Sequence, residues 1–154
     1  MTFEREQLIR FSHCDPAGIV FFPQYFVLFN GHVEDWFDEG LGLGYAKVVI
    51  GQRIGLPTVA LQCEFMKPSR MGERVQLGLA VRELGRSSIK LELTCRHGDE
   101  LRVRVRQVIV TTSLDDGLSR AIAPNVRAAI ERFGVAREVD SPAVRGAAPN
   151  VSRP

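Results

Sequence analysis

From Thr58 to Val110 apolar and polar residues alternate with a period of two. Val59, Leu61, Cys63 and Phe65 form one such set, Val75, Leu77, Leu79 and Val81 a second, Ile89, Leu91, Leu93 and Cys95 a third. Leu101, Val103, Val105, Gln107 and Ile109 form the fourth, with Arg102, Arg104 and Arg106 between them. Successive side chains of a strand point to opposite faces, so the pattern predicts four strands, each with one apolar and one polar face. The breaks at Pro68–Gly72, Gly85–Ser87 and His97–Asp99 are short, which implies antiparallel neighbours.

Upstream the period lengthens. Phe22, Phe26, Phe29, Val33, Trp36 or Phe37, and Leu41 recur at spacings of three and four and predict a helix over 23–39 with one buried face. Pro23 suits its first turn and Gly40 its C-cap. Glu34, Asp35, Asp38 and Glu39 crowd the C-terminal half, where the helix dipole disfavours them, so tertiary contacts must hold this helix. Residues 3–12 read as a further strand, 42–58 as a loop with room for a helical turn, and Pro124–Phe133 as a last short helix. The expected class is α+β: five antiparallel strands, with the long helix across their apolar face.

Composition adds bounds. At 154 residues, 45% of them hydrophobic, one domain over 1–137 is expected. Residues 138–154, rich in Ala, Pro, Gly and Ser, read as a flexible tail. A net charge of +2 is too small to indicate nucleic acid. No run approaches the ~20 apolar residues of a membrane span, and the charged N-terminus is unlike a signal peptide, so a cytoplasmic location is expected. Three cysteines (Cys14, Cys63, Cys95), widely spaced, argue against a disulfide framework or a zinc site. Gly40-Leu-Gly-Leu-Gly44 is no phosphate loop, since no Gly-Lys-Ser/Thr follows.

The candidate chemistry lies just before the long helix. Asp15-Pro-Ala-Gly18 predicts a turn in which the Asp15 side chain bonds nearby amides. A carboxylate thus sits just upstream of a helix start, whose free amides and positive dipole end can hold a developing oxyanion. The plainer reading is that Asp15 only ties down the turn.

Asp15-Pro-Ala-Gly-Ile-Val-Phe-Phe-Pro-Gln-Tyr25 resembles the signature of the 4-hydroxybenzoyl-CoA thioesterase family, in its Pseudomonas-type branch. The similarity continues through Phe65-Met-Lys-Pro-Ser-Arg70, Gly85-Arg-Ser-Ser88 and Asp116-Gly-Leu-Ser-Arg-Ala-Ile122, and covers residues 5–133. It implies a hotdog fold, a five-stranded antiparallel sheet wrapped around a central helix. It also implies an acyl-CoA substrate and no metal or organic cofactor, coenzyme A being part of the substrate. The family's catalytic carboxylate falls on Asp15, as general base or nucleophile. The backbone amide that polarises the thioester carbonyl falls on Phe22, where tyrosine is usual. The CoA phosphate contacts fall on Arg86, Ser87 and Ser88, a turn less basic than is common. Gly18 belongs to the substrate-binding turn. The resemblance further implies a homo-oligomer, a tetramer built from dimers, with sites at subunit interfaces. Related readings are an aliphatic acyl-CoA thioesterase of the Tol-Pal-associated type, which usually has a histidine where Phe22-Pro23 stands, or a non-catalytic acyl-CoA-binding protein.

Other residues carry paired readings. Tyr25, Phe26 and Asn30 can form a flat acyl pocket with one polar contact from Asn30, or, for Phe26 and Phe29 above all, ordinary core. His13 and Cys14 invite a dyad, but neighbours in an extended segment point to opposite faces. His32 reads as a packing residue and His97 as solvated. Glu64 reads as the cross-strand partner of an arginine ahead of a contact with a neighbouring subunit's site, and the stripe of Arg102, Arg104 and Arg106 as solvated or interfacial ahead of phosphate-binding.

Overall fold

The structure, a computed structural model, describes residues 1–136; the expected tail lies outside the described residues. The elements run β1 (Phe3–Leu8), α1 (Phe22–Asp35), β2 (Ile54–Gly55), β3 (Thr58–Phe65), β4 (Arg74–Leu84), β5 (Ser88–His97), β6 (Glu100–Val110), β7 (Thr112–Ser113) and α2 (Pro124–Phe133). Five strands form one antiparallel sheet in the order β1-β4-β5-β6-β3. The two-residue pair β2–β7, too short to show a period, is an addition to the expected elements.

The register turns the alternation into rows. Phe3, Leu79, Leu93, Val105 and Cys63 stand side by side across the sheet. On the opposite face, Ala80, Glu92, Arg106 and Gln62 form a row. The central apolar side chains are buried under α1, each contributing about 1.5–3 kcal/mol.

The buried face of α1 is Tyr25, Phe29, His32 and Val33, continued by Trp36 and Phe37. The expected face shares Phe29, Val33, Trp36, Phe37 and Leu41 but not the first turn. Phe22 is 56% exposed and Phe26 only half-buried. The rings of Phe22, Tyr25 and Phe26 instead gather around Phe65 at the end of β3. The α-helix also stops at Asp35, and the backbone continues as a wider π-type turn over Trp36–Gly40. Gly40 is therefore not a left-handed cap: a β-carbon there would lie 2.5 Å from the buried Trp36 ring. The acidic end of the helix is held as expected, with Arg5 of β1 reaching Asp35 and Glu39 at 3.0 Å each.

Around this core, α2 buries Val126, Ala129, Ile130 and Phe133, with Phe133 edge-on to Trp36. The chain after α2 pairs with β4 beyond the end of β1, Ala136 N–H donating to the Val81 carbonyl. At the far side β3 is the sheet's end strand. It was expected to bury one face, yet Val59, Leu61 and Phe65 are 46–59% exposed, since among the described residues no strand pairs with its outer edge and α1 covers it only in part. Glu64 stands opposite Arg104, the cross-strand arrangement expected.

His32 is buried, and its Nε2 donates to the Phe3 carbonyl at 3.2 Å, which leaves Nδ1 without a partner. Burial lowers its pKa from the ordinary 6.5. The unfolded chain therefore binds more protons once the pH drops below that value, so stability is full above it and is lost as the pH falls. Urea midpoints are expected to fall between about pH 7 and pH 5, and less steeply in His32→Leu. An unchanged slope in the variant would contradict this account.

Candidate active site

The Asp15 turn is a small hairpin. Ala17 N–H donates to Asp15 Oδ1 at 2.8 Å, and Gly18 N–H to the Asp15 carbonyl at 2.9 Å. Gly18 completes the turn at φ 75°, in the left-handed region that glycine enters without strain. The returning arm pairs back onto the outgoing one: Asp15 N–H bonds the Ile19 carbonyl, Cys14 bridges Val20, and Phe21 N–H bonds the His13 carbonyl. This pairing holds Asp15, partly exposed, at the tip of the hairpin, and Phe22 one residue past its foot.

The start of α1 has no side-chain cap. Phe21 is the N-cap, in an extended conformation, where Ser, Thr, Asp or Asn would ordinarily bond a first-turn amide. Pro23 has no N–H, Gln24 N–H folds back to the Phe21 carbonyl at 2.8 Å, and Phe21 N–H is taken by His13. Phe22 N–H is left with no acceptor among the described residues, at the positive end of the helix dipole. One carboxylate and one unpaired donor thus flank the same short segment, which suits a reacting carbonyl.

An apolar pocket of about 410 Å³ lies between α1 and the β3 side of the sheet, lined by Phe26, Phe29, Asn30, Leu61, Thr58 and Gln107 among others. Gln107 is a polar side chain on an otherwise apolar row, nearly buried, with its Nε2 donating to Thr58 Oγ1 at 2.6 Å. The strand pattern placed it with the apolar set without giving it a role. Tyr25 does not line this pocket. It is 3% exposed, stacked on Phe29, with its hydroxyl against Ser69 and no well-formed hydrogen bond there. A larger concavity of about 910 Å³ lies on the opposite face, where Arg82, Lys90 and Arg127 are each paired with a glutamate. Neither concavity is lined by Asp15 or Phe22; the smaller one begins at Phe26, one turn of α1 beyond Phe22.

The structure does not bring Arg86, Ser87 and Ser88 to Asp15 within one chain. Their turn follows β4, whereas the hairpin of Asp15 pairs with the segment before β4. The 11 residues of β4 separate them by on the order of 30 Å. The Arg86 side chain is exposed, while the turn itself is fixed by its carbonyls: Ser87 O accepts from Thr111 N–H and Arg86 O from Ile122 N–H.

His13 and Cys14 do not pair. His13 Nδ1 accepts Arg10 N–H at 2.9 Å, so the proton of the neutral ring sits on Nε2, and burial together with Arg10 lowers its pKa. Burial, with Asp15 adding to it, raises the Cys14 thiol. His97, expected to be solvated, is exposed and stands 3.5 Å from Glu73. Arg102, expected on a solvated or interfacial stripe, is 7% exposed, because Glu73 and Glu100 close over its guanidinium. Among the described residues no three His, Cys, Asp or Glu side chains gather to hold a metal ion, and no helix is long and apolar enough to cross a membrane.

This architecture is the hotdog fold of thioesterases. Residues 9–130 match the profile of the thioesterase-like superfamily, and the chain belongs to that superfamily. Among solved structures it is similar to a 1,4-dihydroxy-2-naphthoyl-CoA thioesterase from Synechocystis, at 20% identity and TM-score 0.76 over 84% of this chain and 96% of that one. It is similar to a gentisyl-coenzyme A thioesterase at 25% identity and TM-score 0.72, over 84% and 99% of the two chains. A Staphylococcus aureus protein solved in complex with CoA matches at 16% identity and TM-score 0.82, over 99% and 96%. No curated protein sequence matches this chain.

The thiols give a direct check on the site. Cys95 is buried and its pKa is pushed up to about 11, while burial also raises Cys14 and Cys63. Iodoacetamide at neutral pH is expected to label all three at least ~10-fold more slowly than free cysteine, Cys95 last, as read by mass spectrometry. Fast labelling of Cys14 would return the dyad to consideration.

Proposed function

We propose that the protein is an acyl-CoA thioesterase acting on an aryl-CoA, 4-hydroxybenzoyl-CoA or one like it. The observation that carries the proposal is the unpaired Phe22 N–H at an uncapped helix start, one hairpin arm from Asp15 and next to an apolar pocket. The thioester oxygen accepts the Phe22 N–H, which stabilises the charge that develops there. Asp15 either takes a proton from the attacking water or attacks the carbonyl itself, giving a mixed anhydride that water then opens. In both routes the C–S bond breaks, CoA leaves as a thiolate that is protonated by solvent, and the free acid remains.

Helix rise supplies a ruler for the acyl group. Phe26 stands about 6 Å beyond Phe22 along the axis, and Asn30 about 12 Å. A benzoyl ring reaches the aromatic mouth at Phe26 and Phe29, with Asn30 and the Gln107–Thr58 pair beyond it for polar substituents. The two relatives named for naphthoyl-CoA and gentisyl-CoA support an aryl substrate. The same length also admits an aliphatic chain of roughly eight carbons, which is the rival reading.

The proposal includes a second copy of the chain joined along β3, and further a tetramer of such dimers. Antiparallel pairing of two β3 strands reverses the partner's sheet, so its Arg86–Ser88 turn comes alongside this chain's Asp15 end. The partner's turn then contacts the CoA phosphates.

Free-thiol release from benzoyl-, 4-hydroxybenzoyl-, acetyl- and octanoyl-CoA tests the substrate class, with the aryl thioesters expected to give the highest kcat/KM. Asp15→Asn is expected to fold normally and to lose at least ~100-fold in kcat. Full activity in that variant would sink the mechanism. Phe22→Pro removes the N–H together with the ring, without backbone strain at Phe21, which already has the extended conformation that a following proline requires. It is expected to lose roughly 100- to 1,000-fold in kcat. Phe22→Ala, which keeps the N–H, is the matched control and is expected to stay within about 10-fold of wild type.

A further inference from the structure

Arg102 is a buried cation with unusually complete partners. Its Nε donates to Glu100 Oε1 at 2.5 Å, Nη1 to the Pro68 carbonyl at 2.7 Å and to Ser69 Oγ at 3.4 Å, and the two terminal nitrogens to the two oxygens of Glu73 at 3.2 and 3.1 Å. Its own carbonyl accepts Met66 N–H at 2.9 Å and Lys67 N–H at 3.3 Å. One residue of β6 therefore grips both arms of the turn that links β3 to β4.

That turn carries no reacting group, but its outer side holds the hairpin that does. Val20 N–H donates to the Ser69 carbonyl, Met71 N–H to the Gly18 carbonyl, both at 2.9 Å, and Ile19 bridges Arg70. Residues 18–20 are the returning arm of the Asp15 hairpin, and Ile19 bonds Asp15 directly. The guanidinium is thus only a few hydrogen-bond steps from the carboxylate, and Val20 leads into Phe21 and the free amide of Phe22.

A guanidinium buried beneath two partly exposed glutamates is a poor way to gain stability, since apolar residues of the same volume often serve as well or better. What an arginine adds is a rigid planar fork that fixes several acceptors at once. We propose that Arg102 is a positioning residue: through the Pro68–Glu73 turn it fixes the Asp15 hairpin relative to the start of α1. This rests on the reading of Asp15 and Phe22 as the reacting groups, where a displacement of about 1 Å can cost ~100-fold in rate.

The test compares Arg102→Met, Arg102→Lys and Glu73→Gln with Asp15→Asn, using whichever acyl-CoA the wild type cleaves fastest. Near-UV circular dichroism establishes that each variant is folded at the assay temperature. Arg102→Met is expected to lower kcat at least ~10-fold with KM within about 3-fold, as a misplaced carboxylate requires. Arg102→Lys keeps the charge but not the fork, so its kcat falls between wild type and Arg102→Met. Hydrogen exchange at the Val20 and Met71 amides is expected to quicken in Arg102→Met while Leu93 in the sheet centre stays protected. Wild-type kcat in folded Arg102→Met, or a loss matched by faster exchange at Leu93, overturns the positioning role. Should Arg102→Met not fold, Glu73→Gln decides by the same two readouts. An inactive Asp15→Asn beside a fully active Arg102→Met refutes the clamp alone. An active Asp15→Asn refutes the reading of the site, and the clamp with it.

Discussion

A sheet with one apolar face needs one cover, and among the described residues only α1 is long and apolar enough to supply it. Its 14 residues span about 21 Å. Tyr25, Phe29, Val33 and Trp36 must lie over the rows centred on Leu79, Leu93 and Val105, which fixes the helix along its axis as well as about it. Its first turn is thereby carried out to Phe65, at the end of β3, where the packing has no more to bury. Phe22, whose amide is unpaired among the described residues, is 56% exposed for that reason. The core sets where the helix begins, and the beginning of the helix is where the chemistry is proposed.

The period of two was legible in β4, β5 and β6 because each of these strands is buried on the face beneath α1 and its side chains answer to one environment. It failed for β3, whose residues alternate like those of its neighbours but lie at the edge of the sheet, where only the first turn of α1 reaches Phe65 and a pocket opens over Leu61. The helix face was legible from Phe29 onward. Its first turn was not, because Phe22 and Phe26 fit the spacing as well as Tyr25 does, and only the place of Phe65 distinguishes them. Arg102 looked like Arg104 and Arg106 for a similar reason. Its burial comes from Glu73, 29 residues away, and from the turn that Glu73 closes, and neither is visible in the local alternation.

The candidate site was legible where it is local. Asp15, Pro16 and Gly18 specify a turn by their own backbone preferences, and Pro23 marks a helix start wherever it stands. The Arg86–Ser88 turn was equally legible as a turn. Its distance from Asp15 was not, because that depends on the length of β4 and on which end of it each turn occupies. A motif can place residues correctly in their elements and still leave open whether one chain unites them.

The same separation bears on the exposed strand. End strands are commonly guarded by lysine, proline or brevity, yet Thr58–Phe65 has eight residues, no lysine and no proline, and three large apolar side chains in contact with solvent. Such an edge suits a partner strand. In the proposed antiparallel pairing, the partner's β3 begins where this one ends. That reversal sets the partner's Arg86–Ser88 turn toward the Phe65 end, beside Phe22 and the Asp15 hairpin. A single pairing would cover the unguarded edge and join the two parts of the proposed site, which one chain keeps about 30 Å apart. In that proposal the open edge of β3 and the separation of the two turns have one physical cause.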